Sequence, residues 1–568
     1  MAGGSGCTRE SPTRRSTRHL QLSRRARADE VDGRRALPRV VVDLAGGGCM
    51  WRRRSRPRRP PVEAQARPTQ DQREHVRGSA LLMLGRILAL LLGIAIQVII
   101  VRTLSKSDYG AFAYALALAS GARILLSLGQ GRLLSRFMAT YEEQRDYPRM
   151  FGAMFLAVGT ILATSLVFIG ALYLFSDALV GSAVQDDAAV RLVLILVFLS
   201  PLEALDQVFV ALFAVFSKPR AIFFRKYLLA PGLRLVVVLV LVLTGASVVF
   251  LAIGYLLAAL LGFGLYVGLL IQMLRERRLL QELKPRQVVI PFRAVFEFSF
   301  PLITGELALL SMTVGGVAIL GFYHSTVEVA NYRAVFSPAR LNTAITASFS
   351  TLFLPVIARL FARDDIDGLR SHYWHTAAFV AVLTFPIFAL TGPMAPVTAV
   401  TLFGERYAGS AVVLSTLAIG YYVNVMLGFN AYALQVCGRI RYLVCVNVVI
   451  AVLNIALCLV LAPRFAALGV AAAGSFALVV QNLLNQWALR GALRTAFIPR
   501  EFRFCYALIV VGAAALWGFQ LVSPGPVAGV AAAAVVSLLV LVGSRRALQL
   551  ADTFPELRRI PLVGRLIT

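Results

Sequence analysis

A chain of 568 residues in which 58% are hydrophobic and 15% charged has more apolar surface than a soluble domain can hide. Its mean hydropathy of +0.74 fits a protein built from many membrane helices. The formal charge of +28 is carried almost wholly by arginine; the lysines are Lys106, Lys218, Lys226 and Lys284, and none closes a GxxxxGK[ST] loop, which excludes a P-loop nucleotidase.

The six cysteines are scattered, with no CxxC or Cys/His spacing for zinc and no pattern of a disulfide framework. His372 and His375 lie three apart at a helix mouth and read as an interfacial pair, not a metal site. No metal and no cofactor are implied.

Residues 1–77 hold nineteen arginines, eight acids, many Pro, Gly and Ser, and no long apolar run. That is the composition of a disordered, basic cytoplasmic tail. Its densest piece, WRRRSRPRR at 51–59, suits anionic lipid at about 1 kcal/mol per basic residue. Without aromatic interleaving or a folded module, nothing argues for nucleic acid. Met50 offers an alternative start that would leave residues 1–49 untranslated. Arg34–Arg35 lack a following apolar region and Cys49 in LAGGGC lacks the lipobox leucine, so neither reads as an export signal.

Apolar windows then predict fourteen transmembrane helices: 80–102, 110–131, 150–175, 189–216, 222–245, 247–273, 296–322, 330–356, 374–392, 410–435, 442–462, 467–489, 504–523 and 527–543. Alternate loops differ sharply in charge. RDYPR, SKPR, RERRLLQELKPR, ARLFARDDIDGLR, CGRIRY and RGALRTAFIPREFR fall on one side; the other side has little beyond Arg102, Lys106, Arg191, Arg406 and Arg464. The positive-inside rule places both termini in the cytoplasm.

A shift of 220 residues aligns Ser79 with Ser299, Leu82 with Leu302, Gly85 with Gly305, Gly110 with Ala330, Phe112 with Tyr332 and Gly254 with Gly474. Helices 1–6 and 7–12 therefore read as two copies of one bundle. Six is even, so matched helices run in the same direction. The expected fold is an all-α polytopic membrane protein of two parallel six-helix lobes plus two C-terminal helices. Its parts are a tail (1–77), an N-lobe (78–273), a cytoplasmic linker (274–295), a C-lobe (296–490), helices 13–14 (491–543) and a cytoplasmic C-terminal tail (544–568).

Charges within the spans mark a site. A guanidinium near the middle of a membrane helix costs about 2.5–3.5 kcal/mol on insertion scales and faces protein or water. Arg86 and Arg123 lie at similar depth in helices 1 and 2. Arg333 and Arg340, seven apart in helix 8, share a face; Arg333 is near the outer mouth, and Arg340 reaches neither surface. Glu203 and Asp206 share a face of helix 4, and Glu306 in helix 7 is the 220-shifted counterpart of Arg86, placed to pair with it across a cavity in one state and part from it in another. Arg234, after Pro231 and Gly232, is a weaker candidate at an expected kink. The bland alternatives are snorkelling for Arg86 and Arg123, an interfacial place for Arg333, and purely structural pairing for the acids. Guanidiniums match phosphate oxygens with paired hydrogen bonds and stay charged, so an anionic ligand is the natural guest of such a cavity.

The run GSALLMLGRILALLLGIAIQVIIVRTLSKSDYGAFAYALAL resembles the opening of polysaccharide flippases of the MOP (multidrug/oligosaccharidyl-lipid/polysaccharide) superfamily, the MATE-like group. Their first two helices are bridged by R-x-L-x-x-x-[DE]-Y-G-x-F, which Arg102, Leu104, Asp108, Tyr109, Gly110 and Phe112 fill. VANYRAVFSPARL, LFLPVIARLF, LFGERYAGSAVVLSTLAIG, QVCGRIRY and LNIALCLVLAPRFAALGVAAAG follow in the family's order, over about residues 78–500. The resemblance implies fourteen helices and two lobes rocking about a central cavity. It also implies a substrate, an undecaprenyl-diphosphate-linked oligosaccharide, in the bacterial inner membrane. In related lipid II flippases cavity arginines lie near the diphosphate, in the helices that hold Arg86 and Arg123 here. One departure is local: the family places glycine in the turn ahead of helix 12, where this chain reads PRFAALG.

The expected mechanism is alternating access without covalent chemistry, hence not an enzyme. Arg86, Arg123, Arg340 and Arg333 would bind substrate. Glu203, Asp206 or Glu306 would couple to H+ or Na+ or gate, and Asn424, Asn430, Gln435 and Asn485 are guesses at the sugar-facing wall. Membrane lipids, and a glycan polymerase or glycosyltransferases, are the partners in view. A lipid II-type flippase is one alternative; another, a MATE-type drug/cation antiporter, would place its ion site on acids in the first lobe, and helices 1 and 2 contain none. A polysaccharide polymerase would show a large outer loop, and every outer loop here is short.

Overall fold

A computed structural model describes residues 70–548 apart from 128–129, 176–186, 217–218, 282–286, 293–305 and 308–309; the expected tails therefore lie almost wholly outside the described residues. All regular structure among the described residues is helical. The first half contains α1 (Gln70–Thr103), α2 (Lys106–Ser127), α3 (Gln130–Glu143), α4 (Tyr147–Leu174), α5 (Asp187–Leu196), α6 (Leu199–Val215), α7 (Ala230–Thr244) and α8 (Val248–Glu276). The second contains α9 (Gly316–Tyr323), α10 (Thr326–Ala339), α11 (Leu341–Ala362), α12 (Ile366–Thr391), α13 (Ala395–Phe403), α14 (Ala411–Leu427), α15 (Phe429–Val436) and α16 (Ile440–Leu493). The hairpin α17 (Arg500–Gln520) and α18 (Pro526–Ser544) packs on α12 and α13. Two π-helical turns interrupt this order, Phe223–Leu229 before α7 and Ser311–Gly315 before α9.

Among the described residues eleven helices are long and apolar enough to cross a membrane, or twelve if the bent pair Thr326–Ser350 and Phe353–Ala362 is one span. Their outer faces are apolar where water would forbid it: Leu166, Leu174, Leu243 and Val527 are each more than three-quarters exposed. The chain is a multi-pass membrane protein. Counting the bent pair as the span predicted at 330–356, the remaining difference between twelve and fourteen has two sources. Predicted spans at 442–462 and 467–489 fall in one run, α16, broken only at Ala466, and much of the span predicted at 296–322 lies outside the described residues.

Helix ends recur between the halves. Thr103 and Tyr323 end α1 and α9; Lys106 and Thr326 begin α2 and α10, an offset of 220 in both cases. Each second helix follows a serine with an acid three residues on, Ser105–Asp108 and Ser325–Glu328, the spacing of an N-terminal capping pair. Ser105 Oγ accepts from the Asp108 amide at 3.1 Å and donates to its carboxylate at 2.6 Å. Further along the offset slips to 219. Arg145 and Asp364 both take positive φ, and Asp146 and Asp365 cap α4 and α12 through the amides of Arg149 and Gly368.

Among the described residues the three largest clusters of buried side chains are one core shared by the halves and one in each half. The shared core lies at the end bearing the 103–106 and 323–326 turns, hereafter the turn end, and includes Val101, Phe112, Val329 and Tyr407. Phe151, Phe213 and Tyr266 belong to a core of the first half alone; Trp374, Tyr422 and Phe429 belong to one of the second half. At the turn end the backbones all but touch. A Cβ on Gly110 of α2 would lie 1.8 Å from the Thr326 carbonyl oxygen, so only glycine fits there.

Candidate functional site

Between α1, α2, α6, the 223–229 turn, α7, α8 and α10 lies a cavity of about 560 Å³. Five cations line it, Arg123, Arg225, Lys226, Arg234 and Arg333, against two carboxylates, Glu203 and Asp206. Glu203, on the inward face of α6, is shared by two guanidiniums: Arg123 Nε at 3.5 Å and Arg234 at 3.2 Å. Asp206, one turn on, accepts from Arg225. Lys226 and Arg333 have no carboxylate partner among the described residues, which leaves the lining three positive charges in excess.

Local sequence explains each placement. Arg225 and Lys226 sit on the π-helical turn Phe223–Leu229, whose closing amide, that of Ala230, bonds the Arg225 carbonyl. Pro231 follows and cannot donate, so the helix widens where a donor is missing, and two successive cations reach one lining. Arg225 is held further by a 3.1 Å bond to the Gly262 carbonyl and by the Tyr266 ring 4.2 Å beneath its guanidinium. Arg234 lies over the Tyr255 ring at 5.3 Å, a cation–π contact that leaves its in-plane donors free. Arg333, on α10, lies 5.3 Å from the Phe336 ring.

Of the residues singled out in the sequence, the structure brings together Arg123, Arg333, Glu203, Asp206 and the weaker candidate Arg234. Arg86, Arg340 and Glu306 do not line this cavity. Arg86 is exposed on α1 beside Gly85, where the helix packs on Phe223 and Tyr227. Arg340 is exposed at the α10–α11 junction and folds back over the Phe336 ring at 5.3 Å. Arg225, Lys226 and Gln97 were missed; the signal was an adjacent Arg–Lys pair inside the span predicted at 222–245, which helix-interior cations should have flagged as Arg86 was flagged. The four amides proposed for a sugar-facing wall are elsewhere. Asn430 and Asn485 are buried within the second half, where Asn430 donates to the Asn482 carbonyl and Asn424 accepts from the Asn482 amide; none of the four touches the cavity.

Opposite α2 from Arg123 lies a second cavity of about 740 Å³, lined by apolar groups such as Leu118, Leu125, Val314 and Ile455. The two faces of α2 thus separate charge from oil. Among the described residues no three His, Cys, Asp or Glu side chains converge as a metal site would require.

A helical membrane bundle whose halves repeat, with a charged cavity in the first half that α10 of the second completes, has the architecture of a transporter. A family model, that of polysaccharide biosynthesis proteins, matches residues 75–361, just over half of the chain, and the chain belongs to that family. It is similar in fold to the lipid II flippase MurJ in an inward closed conformation, with a TM-score of 0.64 at 15% identity over 85% of this chain and 100% of that one. It is also similar to an inward-facing MATE family multidrug transporter of the MOP superfamily (TM-score 0.58, 14% identity, 72% of this chain and 96% of that one). A MOP superfamily transporter from Pyrococcus furiosus aligns over 74% of this chain and 96% of its own at 16% identity, with a TM-score of 0.50. No curated protein matches the chain in sequence at a significant level.

Proposed function

We propose that this protein is a flippase that carries a polyprenyl-diphosphate-linked oligosaccharide across the bacterial cytoplasmic membrane by alternating access, for surface polysaccharide synthesis. The observation that carries the reading is the excess of cations over carboxylates in a cavity of the first half that α10 of the second completes. A pyrophosphate in oil is opposed by the loss of hydration, and guanidiniums held in place replace water with charge-assisted hydrogen bonds. Membership of a polysaccharide biosynthesis family supports the sugar-bearing lipid as cargo. The lobes at 78–273 and 296–490 are the proposed moving bodies, and the prenyl chain stays in lipid while the headgroup turns.

Arginines cluster at the end away from the 103–106 turn, as at Arg145, Arg149, Arg277, Arg278, Arg359 and Arg363. By the positive-inside rule that end and both termini are cytoplasmic, so the turn end faces outward and is closed. Glu203 and Asp206 act as internal counter-ions that an incoming phosphate displaces from Arg123, Arg234 and Arg225; a carboxylate released in this way is free to take up H+ or Na+. Arg86 adds to the field at Lys226, and Arg340 and Glu306 would act outside the binding step. A glycan polymerase and glycosyltransferases are the partners such a route requires.

A cation antiporter of the same fold is the competing reading. It would use Glu203 and Asp206 for its cation, but both already face arginine. Transport of a fluorescent lipid-linked glycan in proteoliposomes separates the two. Arg123→Gln and Arg333→Gln are each expected to slow it by about tenfold or more, the worth of a hydrogen bond to a charged group, with smaller effects from Arg86→Gln and Arg340→Gln. In cells the same variants accumulate lipid-linked intermediate inside. Ion-driven export of a lipophilic cation, with wild-type glycan transport in both arginine variants, would reverse the assignment.

A further inference from the structure

Among the described residues, all that line the cationic cavity come from the first half except Arg333 and Ser337 of α10. The fifth cation therefore rides on the other half of the molecule. Its position is fixed by an unusual contact. Pro338 lies four residues beyond Ala334 and has no N–H, so the helix cannot satisfy the Ala334 carbonyl. Gln97 of α1 supplies the missing donor: its Nε2 lies 2.9 Å from the Ala334 carbonyl oxygen and 3.1 Å from that of Arg333. Around the same helix Ser107 and Thr326 hydroxyls meet at 3.2 Å, and Lys106 donates to Asn331 at 3.1 Å.

We infer that the anion site is complete only while α10 is docked on the first half, that Gln97 is the positioning residue which docks it, and that anion binding and closure of the turn end therefore favour one another. With α10 in place the lining holds five cations against two carboxylates; with α10 withdrawn it holds four against two. A pyrophosphate group binds the docked state more tightly, and by reciprocity it stabilises docking by the same factor. Release on the outer side then follows from the motion that opens it, because opening carries Arg333 away. The inference rests on the anion-site reading above.

The test uses the purified full-length protein with its native cysteines replaced by serine and with Ser107→Cys and Thr326→Cys introduced. Disulfide formation with diamide is timed with and without inorganic pyrophosphate, against sulfate at equal ionic strength, and pyrophosphate binding is measured by calorimetry. Pyrophosphate is expected to speed cross-linking severalfold. Arg333→Gln keeps the backbone acceptors of Gln97, so its unliganded rate should stay while the acceleration is lost and binding weakens by about tenfold. Gln97→Ala removes no charge, yet it too should lose the acceleration. Binding without any change in cross-linking rate, or equal acceleration in Arg333→Gln, overturns this inference and leaves the anion site standing. Absence of pyrophosphate binding to the otherwise unaltered protein overturns the anion site itself, and this inference with it.

Discussion

Ala466 shows how one residue can carry the strain of a tight turn. It holds φ 47° and ψ −127°, a region that side chains disfavour at a cost of about 1–3 kcal/mol. The chain must reverse there, because the two arms of α16 pack so closely that a Cβ on Gly469 would lie 2.3 Å from the Leu461 carbonyl oxygen. The turn PRFAALG holds alanine at this point, and the backbone adopts a glycine-like geometry regardless. Ala466→Gly should therefore raise the stability of the detergent-solubilised protein by about 1 kcal/mol, once the greater freedom of glycine in the unfolded chain is set against the relieved strain. Thermal unfolding measures it, and a lower midpoint would mean that the reverse turn is not strained.

At the scale of the element, the 223–229 turn decides the composition of the site. Closing i→i+5 rings, the turn inserts a residue into the helix and so turns Arg225 and Lys226 by about 100° relative to α7, which sets the wall that this pair of cations meets. Replacing Pro231 with alanine restores the missing amide and removes the reason for the wide turn, so Pro231→Ala should shift one cation off the lining. Pyrophosphate affinity is then expected to fall by about tenfold, the share of one charge-assisted bond, with little change in thermal midpoint. Unchanged affinity would show that the turn is set by packing against Tyr227 and Tyr266. This element also marks the limit of what was legible. Hydropathy and charge asymmetry located the spans, and Arg123, Glu203, Asp206 and Arg333 could be picked out because a lone charge in an apolar run is conspicuous. Whether such a charge faces a cavity or the surface depends on helix rotation, which a π-turn resets without any signature in composition. Arg340 illustrates the same limit: Pro338 ends the helix just before it, and the side chain folds back over Phe336.

On the scale of the whole molecule, the core that the halves share at the turn end is what holds that end closed. The halves are joined where Val101, Phe112, Val329 and Tyr407 are buried together, and cross-links of another kind reinforce that join: Arg102 donates to the carbonyls of Thr401 and Leu402, and Arg406 to that of Val101. These arginines bond backbone across the join, so their charge serves closure and not cargo. Gly110 is the point of least clearance, 1.8 Å between an imagined Cβ and the Thr326 carbonyl oxygen. A leucine there must push α2 and α10 apart, and overpacking of this kind costs about 1–3 kcal/mol. Since the strain is borne only while the turn end is closed, Gly110→Leu should move the balance toward the outward-open form by about five- to a hundredfold. A cysteine placed in the cavity, Ser337→Cys, would report it through labelling by an impermeant maleimide added from outside. Faster labelling in Gly110→Leu, together with weaker pyrophosphate binding, is the expected pair of results. Faster labelling with undiminished binding would detach closure from the anion site, and unaltered labelling would place the outer closure somewhere other than this join.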